Sequence, residues 1–153
     1  MQNPTLKEIG ERLAIQDNRC TMNPMFCVQI LVRNVGYDPN YGTHTVWINM
    51  ESGDYEEVEE GIEGAEEFGY KERWETVMVA FTEEGCKEYL ELNGHNIKRM
   101  AYKGEVRIFV ESFNRCPEMI AIREALMSVK HDNVCDICKR HVLIMDSKND
   151  SKT

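Results

Sequence analysis

Apolar residues recur along the chain with two periods, and the changes between them lay out the elements. Leu6, Ile9 and Leu13 return at near-helical spacing behind Thr5-Leu6-Lys7-Glu8. A threonine followed three residues later by a glutamate can satisfy the open backbone donors of a first helical turn. A helix over about 5–16 is therefore predicted, weakened slightly by Gly10 and ended by the polar run QDNRCTMNP. Residues 25–35 (MFCVQILVRNV) are rich in β-branched side chains between Pro24 and Gly36. Residues 43–50 place Val46, Ile48 and Met50 on one face. The two read as strands joined by the turn-forming GYDPNYG, and they are expected to pair as an antiparallel hairpin.

Residues 73–81 (RWETVMVAF) read as a central strand. Thr82 can cap the helix that follows, with Glu83 and Glu84 at its positive end, and Asn93-Gly94 is a normal stop signal. Residues 105–112 alternate again, with Val106, Ile108 and Val110 on one side. Pro117 suits the first turn of a last helix whose stripe is Met119, Ile122, Ala125, Leu126 and Val129. The order predicts an α+β fold, a mainly antiparallel sheet of about four strands with about three helices packed on one face. Residues 1–130 form a single domain in this reading, with an acidic insertion at about 51–72. Residues 131–153 are a Cys/His segment and a polar tail.

Charge changes the picture most. The 153-residue chain has a net charge of −9. Residues 51–75 hold eleven acids and two bases, so all of that excess sits in one stretch and the remainder is neutral. Such asymmetry disfavours phosphate backbones and favours a partner protein with a basic surface. The candidate contact residues are Glu56, Glu57, Glu59, Glu60, Glu63, Glu66 and Glu67. Val58, Ile62 and Ala65 could form the apolar edge of a helix there. Repeated like charges four residues apart and two glycines oppose it, leaving a solvated loop as the other reading. Calcium or magnesium would suit carboxylates, but the spacing of a calcium loop is missing.

Three further sets carry chemistry. His131, Cys135, Cys138 and His141 are zinc-type ligands with a CxxC gap, yet all four fall within eleven residues, which leaves little chain to wrap an ion. Zinc is the one cofactor the composition suggests, alongside unligated thiols as the alternative. Arg12, Asp17, Asn18 and Arg19, with Asn93, His95 and Asn96, could support acid–base work around His95; a turn and a helix stop explain the same residues without catalysis. Lys98, Arg99, Lys103 and Arg107 make the one basic region, with Tyr102 its single aromatic, too little for a nucleic-acid groove. The six cysteines are scattered, no apolar run approaches the ~20 residues of a membrane span, and the first residues lack a signal-peptide pattern. A cytoplasmic protein with free thiols is expected.

GERLAIQDNRCTMNPMFCVQ (10–29), GYDPNY (36–41), RWETVMVAFTEEGCKEYLELNGHN (73–96) and FNRCPEMIAIREALM (113–127) resemble small phage and prophage proteins that carry no assigned activity. The resemblance implies a setting, the inside of a bacterial host cell, and supplies no catalytic residues. With the charge it leads to the expectation of a phage-type accessory protein that binds another protein. An acidic inhibitor of host defence, such as an anti-CRISPR or anti-restriction factor, is the favoured form. A zinc-containing module associated with nucleic acid and an enzyme built around His95 are the alternatives.

Overall fold

The computed structural model describes residues 3–41 and 44–129. They belong to two compact units, one of them Phe26–Val110 and the other the chain up to Met25 together with the chain from Glu111. The elements are α1 (Leu6–Ile15), β1 (Pro24–Tyr37), β2 (His44–Asn49), β3 (Glu57–Val58), β4 (Ala65–Ala80), α2 (Glu83–Met100), a 3-10 turn (Tyr102–Gly104), β5 (Val106–Ser112) and α3 (Pro117–Ser128). The class is α+β as expected, with five strands instead of four. The additional strand, β3, comes from within the acidic segment.

The strands lie in the order β3-β2-β4-β1-β5. β4 pairs antiparallel with both β1 and β2, and β2 pairs antiparallel with β3. Leu31 N–H donates to Glu105 O and Phe113 N–H to Asn23 O, so β5 runs antiparallel to β1 as well. The expected hairpin of β1 with β2 is thus incorrect, because β4 lies between them. β4 has 16 residues and starts at Ala65, well before the apolar run that begins near 73. Its polar first half pairs with β2 and also continues the ladder with β1. Ladder bonds are made by the backbone, so a strand can extend through EEFGYKE without an apolar signal.

Alternation along β1 sends Phe26, Val28 and Ile30 to one face. There they pack with Cys86 and Ile97 of α2 and with Ala101 just beyond it. The β4 partner of Val28 is Met78 and that of Gln29 is Thr76, so Val77 is an extra residue. This bulge lets both Val77 and Met78 pack against the core. Burying Phe26, Val28 and Ile30 stabilises the unit by roughly 1.5–3 kcal/mol each. Burial also pushes the Cys86 thiol up to about 11.

Thr82 caps α2, its hydroxyl accepting from Gly85 N–H. The predicted stop at Asn93-Gly94 is wrong: α2 continues to Met100. Ile97 is 5% exposed and belongs to the core, and Asn93 Nδ2 donates back to Tyr89 O. Burial of an isoleucine is worth about 1.5–3 kcal/mol, more than the ~1 kcal/mol that a helical glycine costs. Packing decides the helix length.

In the other unit, the capping box at α1 is present: Thr5 Oγ1 accepts from Glu8 N–H, and the Glu8 carboxylate accepts from Thr5 N–H at 2.6 Å. That backbone bond holds the Glu8 carboxyl below its usual range. Gly10 is buried, and a Cβ built there would lie 2.2 Å from Leu126 O of α3. The glycine is what lets the α1 backbone touch α3. Leu13 is 2% exposed, and Phe113 is also buried.

Candidate functional site

Directly paired residues of antiparallel strands share a face. The pairs Arg33–Glu72, Tyr70–His44, Phe68–Val46, Glu66–Ile48 and Ile48–Glu57 therefore place these side chains together, on the face opposite the α2 core. Arg33 organises the middle of that surface. Its guanidinium lies 3.8 Å from the ring centroids of both Tyr70 and Tyr102. It donates to Glu72 at 2.6 and 2.9 Å and to Glu57 at 3.0 Å. Tyr102 Oη donates to Glu57 at 2.8 Å, and Lys103 Nζ is 4.0 Å from the same carboxylate.

The electrostatics of this cluster are closed. Burial works to lower the Arg33 pKa, but the Glu72 hydrogen bond and the Glu57 charge outweigh it and hold it above its usual value. Burial raises the Tyr102 pKa; the Lys103 contact opposes this and the Glu57 carboxylate reinforces it. Lys103 is raised chiefly by its bond to Tyr102. The cluster fastens β3 to the sheet, and its groups are engaged with one another.

Beside it is an open pocket of about 340 Å³ lined by Val35, Gly36, Ile48, Met50, Tyr55, Glu57 and Phe68. Gly36 has a φ of +114° and marks the bulge where β1 shifts register between Val35 and Tyr37. Val35, Met50 and Tyr55 are exposed apolar or aromatic surface. The remaining carboxylates are neighbours in the chain, Glu67 alternating to the other face through its pairing with Trp47. Glu66 is opposite Ile48 on the same face, Glu56 adjoins Tyr55 and Glu57, and Glu59, Glu60 and Glu63 follow in the connection to β4. Glu56, Glu59, Glu60, Glu63, Glu66 and Glu67 are exposed and form no ion pair among the described residues. Glu57 is the exception among the predicted contact residues, because Arg33 and Lys103 neutralise it.

The acidic segment forms no helix. Gly61 and Gly64 have φ values of +88° and +76°, outside the right-handed helical region, and Glu67 and Glu66 are paired in β4 with Trp47 and Ile48. The segment is made of β3, the start of β4 and the turns between and before them.

Arg12, Asp17, Asn18 and Arg19 lie in the unit that contains Met1–Met25, and Asn93, His95 and Asn96 in the unit Phe26–Val110. Asp17 Oδ1 accepts from Arg19 N–H, the turn expected for this sequence. Asn18 Oδ1, Thr21 Oγ1 and Arg123 Nε are buried without a hydrogen-bond partner among the described residues. His95 is exposed on α2. All four basic-region residues belong to the unit Phe26–Val110, and two of them are engaged there: exposed Lys103 near Glu57, and Arg107. Arg107 donates to Gln29 Oε1 at 2.9 Å and lies over the rings of Trp74 and Phe109. Cys20, Cys27, Cys86 and Cys116 are free thiols. No group of three or more His, Cys, Asp or Glu side chains suited to a metal occurs among the described residues; His131, Cys135, Cys138 and His141 lie outside them. No described helix is long and apolar enough to cross a membrane.

No protein-family model, curated protein or solved structure matches this chain. The site is therefore read from its own geometry.

Sequence reasoning missed Arg33 and Tyr70, and it set Tyr102 with the basic region instead of with them. A signal was present: Arg33 is the one charge in an apolar strand, at the same parity as Gln29. A buried cation requires partners, and parity said which face would hold them. What parity could not supply was Tyr102, brought in from beyond α2.

Proposed function

We propose that this chain is a phage-type accessory protein that works in the cytoplasm of a bacterial host by binding another protein. The contact surface is the acidic sheet edge formed by β2, β3 and the first half of β4. Its partner has a basic surface bearing an apolar side chain, and an inhibitor of a host defence enzyme, of the anti-CRISPR or anti-restriction kind, is the favoured class. One observation carries the reading: six exposed carboxylates without an ion pair among the described residues lie beside β3, at the start of β4 and in the turns between them, and the same strands line an open apolar pocket. Unpaired like charge on one surface accelerates encounter with an oppositely charged partner. It does not by itself give affinity, which comes from desolvated anchors, and the pocket walled by Ile48, Met50, Tyr55 and Phe68 is where such an anchor would enter. The Arg33 cluster keeps β3 in place, so the surface is formed before the partner arrives.

Affinity capture from host lysate tests this. The wild-type chain should retain a basic protein at ~0.1 M salt and release it near 1 M, where the screening length falls from about 10 to about 3 Å. Replacing Glu56, Glu59, Glu60, Glu63, Glu66 and Glu67 with Gln should abolish capture without lowering the melting temperature. Capture of the same protein by the Gln variant would contradict the proposal.

A further inference from the structure

α2 seals one face of the sheet. Arg107 of β5 lies on the other. Its Nε donates to Gln29 Oε1 at 2.9 Å, and its guanidinium carbon is 4.0 Å from the ring centroid of Trp74 and 4.7 Å from that of Phe109. Gln29 is paired with Thr76 across the β1–β4 ladder and donates to its Oγ1 at 3.1 Å. Because Gln29 is only 5% exposed, its amide is a fixed acceptor. Three contacts therefore hold the guanidinium in place, a hydrogen bond at its inner nitrogen and two aromatic rings.

The other two arginines of the sheet have carboxylate partners, Arg33 in Glu57 and Glu72, and Arg73 in Glu75. Arg107 has none. It forms no ion pair, and its two terminal nitrogens make no hydrogen bond, among the described residues. Glu105 and Glu111 have the same parity on either side of it, and neither pairs with it. Acids outnumber bases in this chain by 27 to 18, so the missing partner does not reflect a shortage of carboxylates. Apolar surface lies alongside. The register that joins Leu31 to Glu105 and Asn23 to Phe113 sets Phe109 opposite Cys27, whose β4 partner is Val79. Cys27 is buried, while Phe109 is 41% and Val79 51% exposed.

We propose that Arg107 is a docking point for a single carboxylate of a partner polypeptide, an Asp or Glu side chain flanked by apolar residues. The carboxylate accepts from the two terminal nitrogens as a bidentate pair, the geometry that a planar guanidinium fork matches. The apolar neighbours of the carboxylate lie on Phe109 and Val79. Two arguments choose this occupant. A nucleic-acid strand would bring a row of phosphates to a face that carries Glu72, Glu105 and Glu111 and has this one unpaired arginine, whereas a strand-binding groove needs many cations. A small free acid would need an enclosing cleft, and Phe109 and Val79 are open. Gln29 and the two rings fix the guanidinium before the partner arrives, so little further ordering opposes binding. The site does not rest on the acidic contact surface.

The probe is an end-capped pentapeptide with one glutamate between leucines, and the control is the same peptide with glutamine in its place. Added to the full ¹⁵N-labelled chain at low salt, the glutamate peptide should shift the Nε–H signal of Arg107 and the indole N–H signal of Trp74 in NMR spectra. The glutamine peptide should bind about tenfold or more weakly, because the charge-assisted pair is lost. Arg107→Lys keeps the charge but removes the fork, and should weaken the glutamate peptide by a similar factor. The proposal is overturned if the two peptides bind equally well, if the shifts fall elsewhere, or if neither peptide binds. An oligothymidylate that shifts the same two signals at lower concentration would also overturn it, since the occupant would then be a nucleic acid. Should Arg107→Lys fail to fold, the comparison of the two peptides on the wild-type chain decides the matter.

Discussion

At one edge of the sheet β2, the short β3 and the start of β4 carry exposed carboxylates beside an apolar pocket, with no ion pair to them except at Glu57 among the described residues. At the other edge β5 packs Val106, Ile108 and Val110 against the core under α2. The two edges share one floor, β4 and β1, whose opposite face is sealed by α2. The difference lies in how each edge is guarded. Charge guards the first, since a strand approaching β2 would have to pass unpaired glutamates. The second carries no comparable run of carboxylates among the described residues.

The comparison breaks most severely at Arg33. Arg33→Ala leaves Glu57 and Glu72 without their cation and Tyr70 and Tyr102 without the group between them. It should cost about 2–3 kcal/mol, from charge-assisted hydrogen bonds and two cation–π contacts on a mostly buried guanidinium. Denaturant unfolding measures the loss. Hydrogen exchange should show it concentrated in β3 and β2, with the β5 amides no less protected than before. Uniform loss across all strands would mean that the cluster does not fasten the acidic edge in particular.

A smaller effect separates the two helical glycines. Gly10→Ala should destabilise by about 1–3 kcal/mol despite the better helix propensity of alanine, because α1 and α3 would be pushed apart. Gly94→Ala should stabilise by about 0.5–1 kcal/mol, since its methyl meets open space. Thermal melts of the two variants give the signs directly, and equal signs would refute the contrast between a glycine held against α3 and one that faces open space.

The smallest effect is at α1. The Glu8 carboxyl is held below its usual value by the Thr5 backbone bond. A depressed carboxyl stabilises the fold above its unfolded value of about 4.3, and the contribution disappears as the pH falls through the folded value. Glu8→Gln should therefore reduce stability at neutral pH and leave it unchanged in strong acid. A difference that persists in acid would assign the effect to packing and not to the charged cap.

Local rules read the ends of elements well. The Thr5–Glu8 box, the Thr82 cap and Pro117 at the start of α3 each depend on residues a few positions apart, and the structure has all three. The failures came where the deciding contact is distant in sequence. Asn93-Gly94 spells a stop until Ile97 is buried against β1, and EEFGYKE spells a loop until β2 and β1 both pair with it. The candidate site divides the same way. The concentration of carboxylates was visible in the chain, but the pairing of Glu57 with Arg33, twenty-four residues earlier, and the opening of the pocket needed the register of three strands. Without that register the setting of Arg107 could not be foreseen either, because Gln29 and Trp74 are its neighbours only once the strand order is known.

The most direct test of the acidic contact surface is an NMR titration of the ¹⁵N-labelled chain at low salt with an end-capped octapeptide alternating valine and lysine. The peptide should shift Ile48, Met50, Glu66 and Phe68 and lose its effect as salt is added. Shifts confined to β5 and α2, or shifts that survive high salt, would contradict the acidic contact surface.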